Sequence, residues 1–203
     1  MNIIILSYTK SPQYFYMLRD CINSIGSGHN IFVVETNSKL KGKAIDLPCK
    51  FIFPEEEFNY NKFLNIGFKN LKNKDKIIIS NNDVIYNSDC IQKLEAGLDI
   101  YDSVSPCEYK QKTEVGTVVG KHVKGWCIGL NYSVYEKMGL WDESFKFWYQ
   151  DNDYCNFLES KKLKHAIIGD AIAKHLVSQS HYLLDDVHEF TNEQIKVLKG
   201  KWD

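Results

Sequence analysis

Three groups of side chains in this sequence are of types and spacings that do chemistry. The first is Asn81-Asn82-Asp83, which follows the β-branched run Ile77-Ile78-Ile79. Such a run reads as a buried strand. A carboxylate just past its end faces the crevice in which open α/β sheets bind ligands. Asp and Asn oxygens suit a hard divalent cation and the phosphates bound to it. The second group is acidic: Asp142 and Glu143 precede an aromatic stretch, and Asp151 and Asp153 open a helix. Carboxylates in a first helical turn favour the macrodipole by about 0.3 to 1 kcal/mol, and capping or support is the reading for Asp153. Asp151 differs because it follows Phe147-Trp148-Tyr149-Gln150. Rings there desolvate a carboxylate and raise its pKa toward the range of a general base. The third is His175, at the end of an apolar strand, with His181 as its neighbouring competitor. A histidine in that place becomes a ligand when another cation-binding group lies near it. Nothing in the chain reads as a nucleophile elbow, a P-loop or a dinucleotide glycine fingerprint, which argues against a nicotinamide enzyme.

Strands and helices must bring these groups together. Residues 3–6 make a first buried strand with Ser7, Tyr8 and Thr9 as its polar exit. Ser11 and Pro12 open a helix in which Phe15, Leu18, Ile22 and Ile25 recur at helical spacing, and Gly26 ends it. A second strand, 31–34, leads into Glu35-Thr36-Asn37-Ser38, and this order implies a right-handed crossover and a parallel pair. A short strand at 51–53 is closed by Pro54. The next helix carries Phe63, Leu64, Phe68 and Leu71 on one face. Gly67 inside that helix costs about 1 kcal/mol relative to Ala, so either the sheet or a ligand must press close there. After 77–79, Ser88 caps a helix with Ile91, Leu94 and Leu98, and a strand from Val104 stops at Pro106. Beyond residue 107 the pattern changes. Residues 110–124 read as ribbon or loop, 125–130 as a strand and 132–138 as a helix. Strands follow at 166–168 and 171–176, and a charged amphipathic helix at 191–198. The sequence therefore predicts an α/β fold, a mostly parallel Rossmann-like sheet flanked by helices, in a single domain over 1–203. Its expected parts are a 1–107 half, a 108–185 half and a C-terminal helix at 186–203.

The 203 residues carry 25 basic and 26 acidic side chains, for a net charge of −1. That balance gives no reason to expect strong sequence-independent binding of a nucleic acid. The six cysteines form no C-x-x-C pair. The N-terminus lacks the basic lead of a signal peptide, and no apolar run reaches the length of a membrane span. The expected location is cytoplasmic, with reduced thiols.

The order of these motifs resembles the GT-A-fold glycosyltransferases, in particular the large family-2 group of nucleotide-sugar-dependent enzymes. The resemblance runs from about residue 3 to residue 181. Ser7, Tyr8 and Thr9 are similar to the exit of that family's opening strand, beside the nucleotide base. Val33-Val34-Glu35-Thr36-Asn37-Ser38 resembles its second strand, where the acid contacts base or ribose, although Asp is more usual than Glu35. Asn59-Tyr60-Asn61-Lys62-Phe63-Leu64-Asn65-Ile66-Gly67 resembles the helix under the donor. Asn81-Asn82-Asp83 corresponds to the D-x-D element with only its last acid retained. Gly139-Leu140-Trp141-Asp142-Glu143-Ser144-Phe145 resembles the G-x-F-D-E-x-F segment beside the acceptor. Tyr149-Gln150-Asp151-Asn152-Asp153 resembles the E-D-x-D segment that supplies the base, with Gln150 where Glu is usual.

The resemblance implies an inverting transfer of a sugar from a nucleotide-diphosphate sugar, most readily a UDP-sugar, to an acceptor hydroxyl. Asp151 is the expected base. Asp83 and His175 are the expected ligands of Mn²⁺ or Mg²⁺. Ser7, Tyr8, Thr9, Glu35, Asn61, Lys62, Asn65, Asn81 and Asn82 are expected at the donor. Trp126, Trp141, Asp142, Glu143 and Trp148 are expected at the acceptor, whose identity stays open. The rival from another class is a non-catalytic nucleotide- or sugar-binding module, motivated by Asn81 and Gln150.

Overall fold

The computed structural model describes residues 1–41, 46–146, 148–176 and 187–203, with the backbone alone for 187–190. Among these residues a nine-stranded sheet forms the centre. Its first half is the predicted crossover unit. β1 (Asn2–Ser7) pairs in parallel with β2 (Asn30–Glu35) and with β4 (Ile77–Asn81), and β2 pairs in parallel with β3 (Lys50–Ile52). Two helices cover this half, α1 (Pro12–Ile25) and α2 (Tyr60–Lys69). Leu18, Cys21, Ile22 and Ile25 of α1 pack into one apolar cluster with Ile3, Ile5 and Ile78. Phe63, Leu64 and Phe68 of α2 pack into another with Ile4, Ile77 and Ile79. Alternate residues of each strand thus feed opposite faces, as the strand period of two requires. The sheet, not a ligand, explains Gly67: a Cβ there would lie 2.6 Å from Ile4 Cγ2 on β1.

The second half is mixed rather than parallel. β8 (Cys127–Leu130) inserts antiparallel between β4 and β6 (Ser103–Cys107), and β6 pairs in parallel with β9 (His165–His175). β5 (Val84–Tyr86), unforeseen as a strand, and β7 (Glu114–Val115), inside the stretch read as ribbon or loop, run antiparallel to β9. Helices α3 (Cys90–Gly97), α4 (Tyr132–Met138), α5 (Gln150–Ser160) and α6 (Val187–Trp202) complete the chain.

Several expectations need correction. The two strands expected at 166–168 and 171–176 are one strand, β9, and the register with β6 shifts between Ser105 and Cys107. Gly169 makes that passage possible, because a Cβ there would lie 2.0 Å from the Gln111 carbonyl oxygen. Pro106 lies inside β6 rather than ending it. α3 has Asp89, not Ser88, at its N-cap, with no side-chain cap bond. α6 begins earlier than expected and ends later.

Candidate active site

The turn that joins β4 to β5 carries Asn82 and Asp83. β5 then pairs with the end of β9, with Val84 opposite His175, and Leu176 N donates to the Asp83 carbonyl at 2.9 Å. This pairing brings Asp83 and His175 together from positions far apart in sequence. Their side chains are only 6% and 15% exposed, and Asp83 Oδ1 lies 3.2 Å from His175 Nε2. That distance is within ion-pair range, yet neither atom has a hydrogen-bond partner among the described residues. Two atoms this close and not aligned as donor and acceptor fit adjacent ligands of one cation. Ligands about 2.1 Å from an octahedral ion and at right angles are roughly 3 Å apart. The described residues hold no group of three or more His, Cys, Asp or Glu suited to a metal. Among the described residues the pair Asp83 and His175 stands as two candidate ligands, and a cation held by two side chains takes its further ligands from other oxygens such as phosphate or water. His181, the alternative ligand, lies outside the described residues, as does Phe147.

Asp151 stands in the first turn of α5. Burial raises its carboxyl pKa above the ordinary value, opposed by the N–H groups of Asn152 and of Asp151 itself. The aromatic run before it contributes through the chain path as well: Tyr149 takes the left-handed conformation, φ 64°, at the N-cap. A non-glycine residue there stores strain of the kind that clusters at functional sites.

The consecutive residues Gly125 and Trp126 join the two carboxylates into one site. A Cβ on Gly125 would lie 2.7 Å from Asp151 Oδ2. Trp126 stacks on the His175 ring, with centroids 5.3 Å apart and planes 13° apart, and its carbonyl accepts from Asn81 N at 2.9 Å. Tyr60, buried on α2, points its hydroxyl at Asn81 Oδ1, 3.5 Å away. Burial pushes the Tyr60 phenol up, and the charges of Asp151, Cys127 and Asp83 add to this in that order.

At the carboxyl ends of β1 and β2, Glu35 is fully buried. Its Oε1 accepts from Thr9 N at 3.0 Å and from Asn37 N at 2.7 Å. Its Oε2 and the Thr9 hydroxyl have no partner among the described residues. Ser7 Oγ accepts from Asn82 Nδ2 at 3.1 Å, and Tyr8 is exposed. Next to this corner, Thr36, Ser38, Lys41, Phe53, Pro54, Glu55 and Glu56 line a cleft of about 390 Å³.

Other predicted residues have different surroundings. Asn65, expected at the donor, is buried against the 141–143 segment. Its Nδ2 donates to the Trp141 carbonyl and to Glu143 Oε1, each at 2.9 Å, and its Oδ1 accepts from Trp141 N. Asn61 Nδ2 donates to the Asp142 carbonyl at 2.7 Å, which leaves its Oδ1 unpartnered among the described residues. Trp141, expected beside the acceptor, is 3% exposed and stacked on Tyr154 in the core, where an indole of its size is held by apolar packing. Lys62 is paired with Glu56. Trp148 is half-buried. Asp142 is held by Ser144 N and by Lys201 of α6. Lys201, Trp202 and Gln194 on that helix went unnoticed in the sequence, where they read only as part of a charged face.

The solved structures that resemble this chain include these two. One is a crystal structure of GalNAc-T7 with UDP, GalNAc and Mn²⁺: TM-score 0.72, 10% identity, covering 98% of this chain and 48% of that one. The other is Staphylococcus aureus TarS 1–349: TM-score 0.60, 13% identity, covering 85% of this chain and 58% of that one. This chain spans about half the length of each. A scan of protein-family models and a search of curated proteins found no match. Both solved structures are GT-A-fold glycosyltransferases. At such low identity the likeness speaks to architecture, and the architecture of this chain is the GT-A fold.

Proposed function

We propose that this chain is a metal-dependent, inverting glycosyltransferase that moves a sugar from a nucleotide-diphosphate sugar to an acceptor hydroxyl. The observation that carries the reading is the pair Asp83 Oδ1 and His175 Nε2, buried, 3.2 Å apart and without hydrogen bonds among the described residues. One of the structural neighbours holds UDP and Mn²⁺, which supports a UDP-sugar donor and a Mn²⁺ or Mg²⁺ ion. Asp83 and His175 would hold the cation, with Asn81 reaching it through water. A divalent cation bound there neutralises the leaving diphosphate as a Lewis acid. Glu35 Oε2 and the Thr9 hydroxyl accept and donate hydrogen bonds to the base or ribose.

Asp151 takes the proton from the acceptor hydroxyl as that oxygen forms its bond to the anomeric carbon. The bond to the diphosphate breaks on the opposite face, and its electron pair leaves with the phosphate oxygen. The raised pKa of Asp151 matches this role, since a base works best when its pKa approaches the operating pH. Trp126 and Trp148 would line the sugar side. The six thiols are unpaired, which fits a reducing, cytoplasmic setting.

A thermal-shift screen of nucleoside diphosphates and their sugars, with and without Mn²⁺, tests the donor half. A ligand at a hundred times its Kd should add about 2.7 kcal/mol. No shift with any nucleotide ends the reading. Asp151→Asn tests the other half: it should lower kcat by about 10²- to 10⁴-fold and keep nucleotide affinity. Unchanged turnover would favour a different base. Nucleotide binding with no turnover by the wild-type chain would favour a binding module.

A further inference from the structure

α6 grips two parts of the site at once. Lys201 Nζ donates to Asp142 Oδ2 at 2.8 Å and to Asp153 Oδ2 at 3.0 Å. Trp202 Nε1 donates to Asp153 Oδ1 at 2.7 Å. Gln194, 3% exposed, accepts from Lys146 N at 2.8 Å and donates to the Ser144 carbonyl at 3.2 Å. One helix therefore holds both the 142–146 loop and the first turn of α5. Burial opposes the ionisation of Asp142, but Lys201 and the Ser144 N–H outweigh it and keep its carboxyl below the usual range. Burial also works against the Lys201 charge, and the two carboxylates reverse that and raise its pKa.

The first turn of α5 needs such a grip. Its N-cap, Tyr149, makes no side-chain cap bond and is held at positive φ. At 3.6 residues per turn, Asp151 and Asp153 lie about 200° apart around the helix. A hold on the Asp153 side therefore sets how far Asp151 turns toward Gly125. We propose that Lys201 and Trp202 are positioning residues, which couple the 142–146 loop to α5 and hold Asp151 against the acceptor. This rests on the reading of Asp151 as the base.

The test compares the wild-type full chain with Lys201→Met, Lys201→Arg and Trp202→Phe. Donor turnover, nucleotide-induced thermal shift with Mn²⁺, and backbone hydrogen exchange are measured for each. Lys201→Met should lower kcat about tenfold, since a misplacement on the order of 1 Å costs up to about a hundredfold. The donor KM and the thermal shift should stay unchanged. Exchange should quicken at 142–146 and 150–154 alone. Lys201→Arg, which keeps a cation able to bridge two carboxylates, should restore both readouts, and Trp202→Phe should show a smaller form of the defect. Wild-type kcat in Lys201→Met overturns the proposal, and so does a loss that arginine fails to restore or exchange that quickens throughout the chain. A wild-type chain without donor turnover removes the base assignment instead, and the exchange pattern then decides the coupling by itself.

Discussion

Replacing Gly125 with alanine is the sharpest probe of the proposed base, because the three atoms nearest the new methyl group all belong to Asp151. The added Cβ would sit 2.7 Å from Asp151 Oδ2 and 3.3 Å from its Cβ and Cγ. Ordinary contact begins at 3.4 Å, so the carboxylate oxygen must retreat by about 0.7 Å. Gly125 does not have positive φ, so the substitution brings no backbone strain of its own. A displacement on the order of 1 Å at the reacting group costs up to about a hundredfold in rate. The expected result is a kcat reduced about 10- to 100-fold. The nearest contacts of the new Cβ are with Asp151 and not with Asp83 or His175, so affinity for a nucleoside diphosphate with Mn²⁺ should match the wild type. Release of nucleoside diphosphate from the donor, with water as acceptor where no better one is known, supplies the rate. Thermal shift supplies the affinity. A Gly125→Ala protein with undiminished kcat would refute the assignment of Asp151, and one that lost nucleotide affinity in step with rate would refute the separation of the two halves.

Three other outcomes follow from the same structure. Mn²⁺ added to the protein should quench the fluorescence of Trp126, which stacks on His175; His175→Ala or Trp126→Phe should each abolish that component, and quenching that survives in both places the ion elsewhere. Gly67→Ala forces a Cβ to 2.6 Å from Ile4 Cγ2 and should destabilise the chain by about 1 to 3 kcal/mol in urea unfolding; a stabilised protein would mean the helix can step off the sheet. Burial lowers the pKa of His165 from 6.5 to about 4, so the unfolded chain protonates first. Its contribution is complete above about pH 6.5 and is lost as pH falls toward 4, with a ceiling of about 3 kcal/mol. His165→Gln should show a shallower decline of stability than the wild type over that window, and parallel declines would contradict the assignment.

What the sequence disclosed and what it withheld divide along the range of the interactions. Local signals worked: the isoleucine run placed β4 and hence Asp83, and the 3.6-residue apolar spacing placed α1 and α2. Gly67 announced a close approach, and only the structure says that the sheet makes it. β5 was missed because three residues after a turn carry little periodicity, although its pairing with β9 is what sets His175 beside Asp83. β9 was cut in two because glycine and aspartate read as a break, whereas Gly169 is there to let the Gln111 carbonyl pass. Trp141 and Trp148 looked alike as aromatic residues near acids, and burial alone separates the core indole from the half-buried one.

The same division explains which candidate residues stayed hidden. Asp83, Asp151 and His175 are unusual types in their local settings, so type and position draw attention to them. Lys201 and Trp202 are ordinary members of a charged helix until their partners are known, and those partners lie 48 to 59 residues away. A salt bridge between exposed groups contributes little to stability. What distinguishes Lys201 is that its two carboxylates belong to different elements, one on the loop that Asn61 and Asn65 hold and one on the helix that carries Asp151. Geometry at the proposed base is therefore set by contacts on the far side of α5 as much as by those within the cleft, and substitutions in α6 should change rate before they change fold.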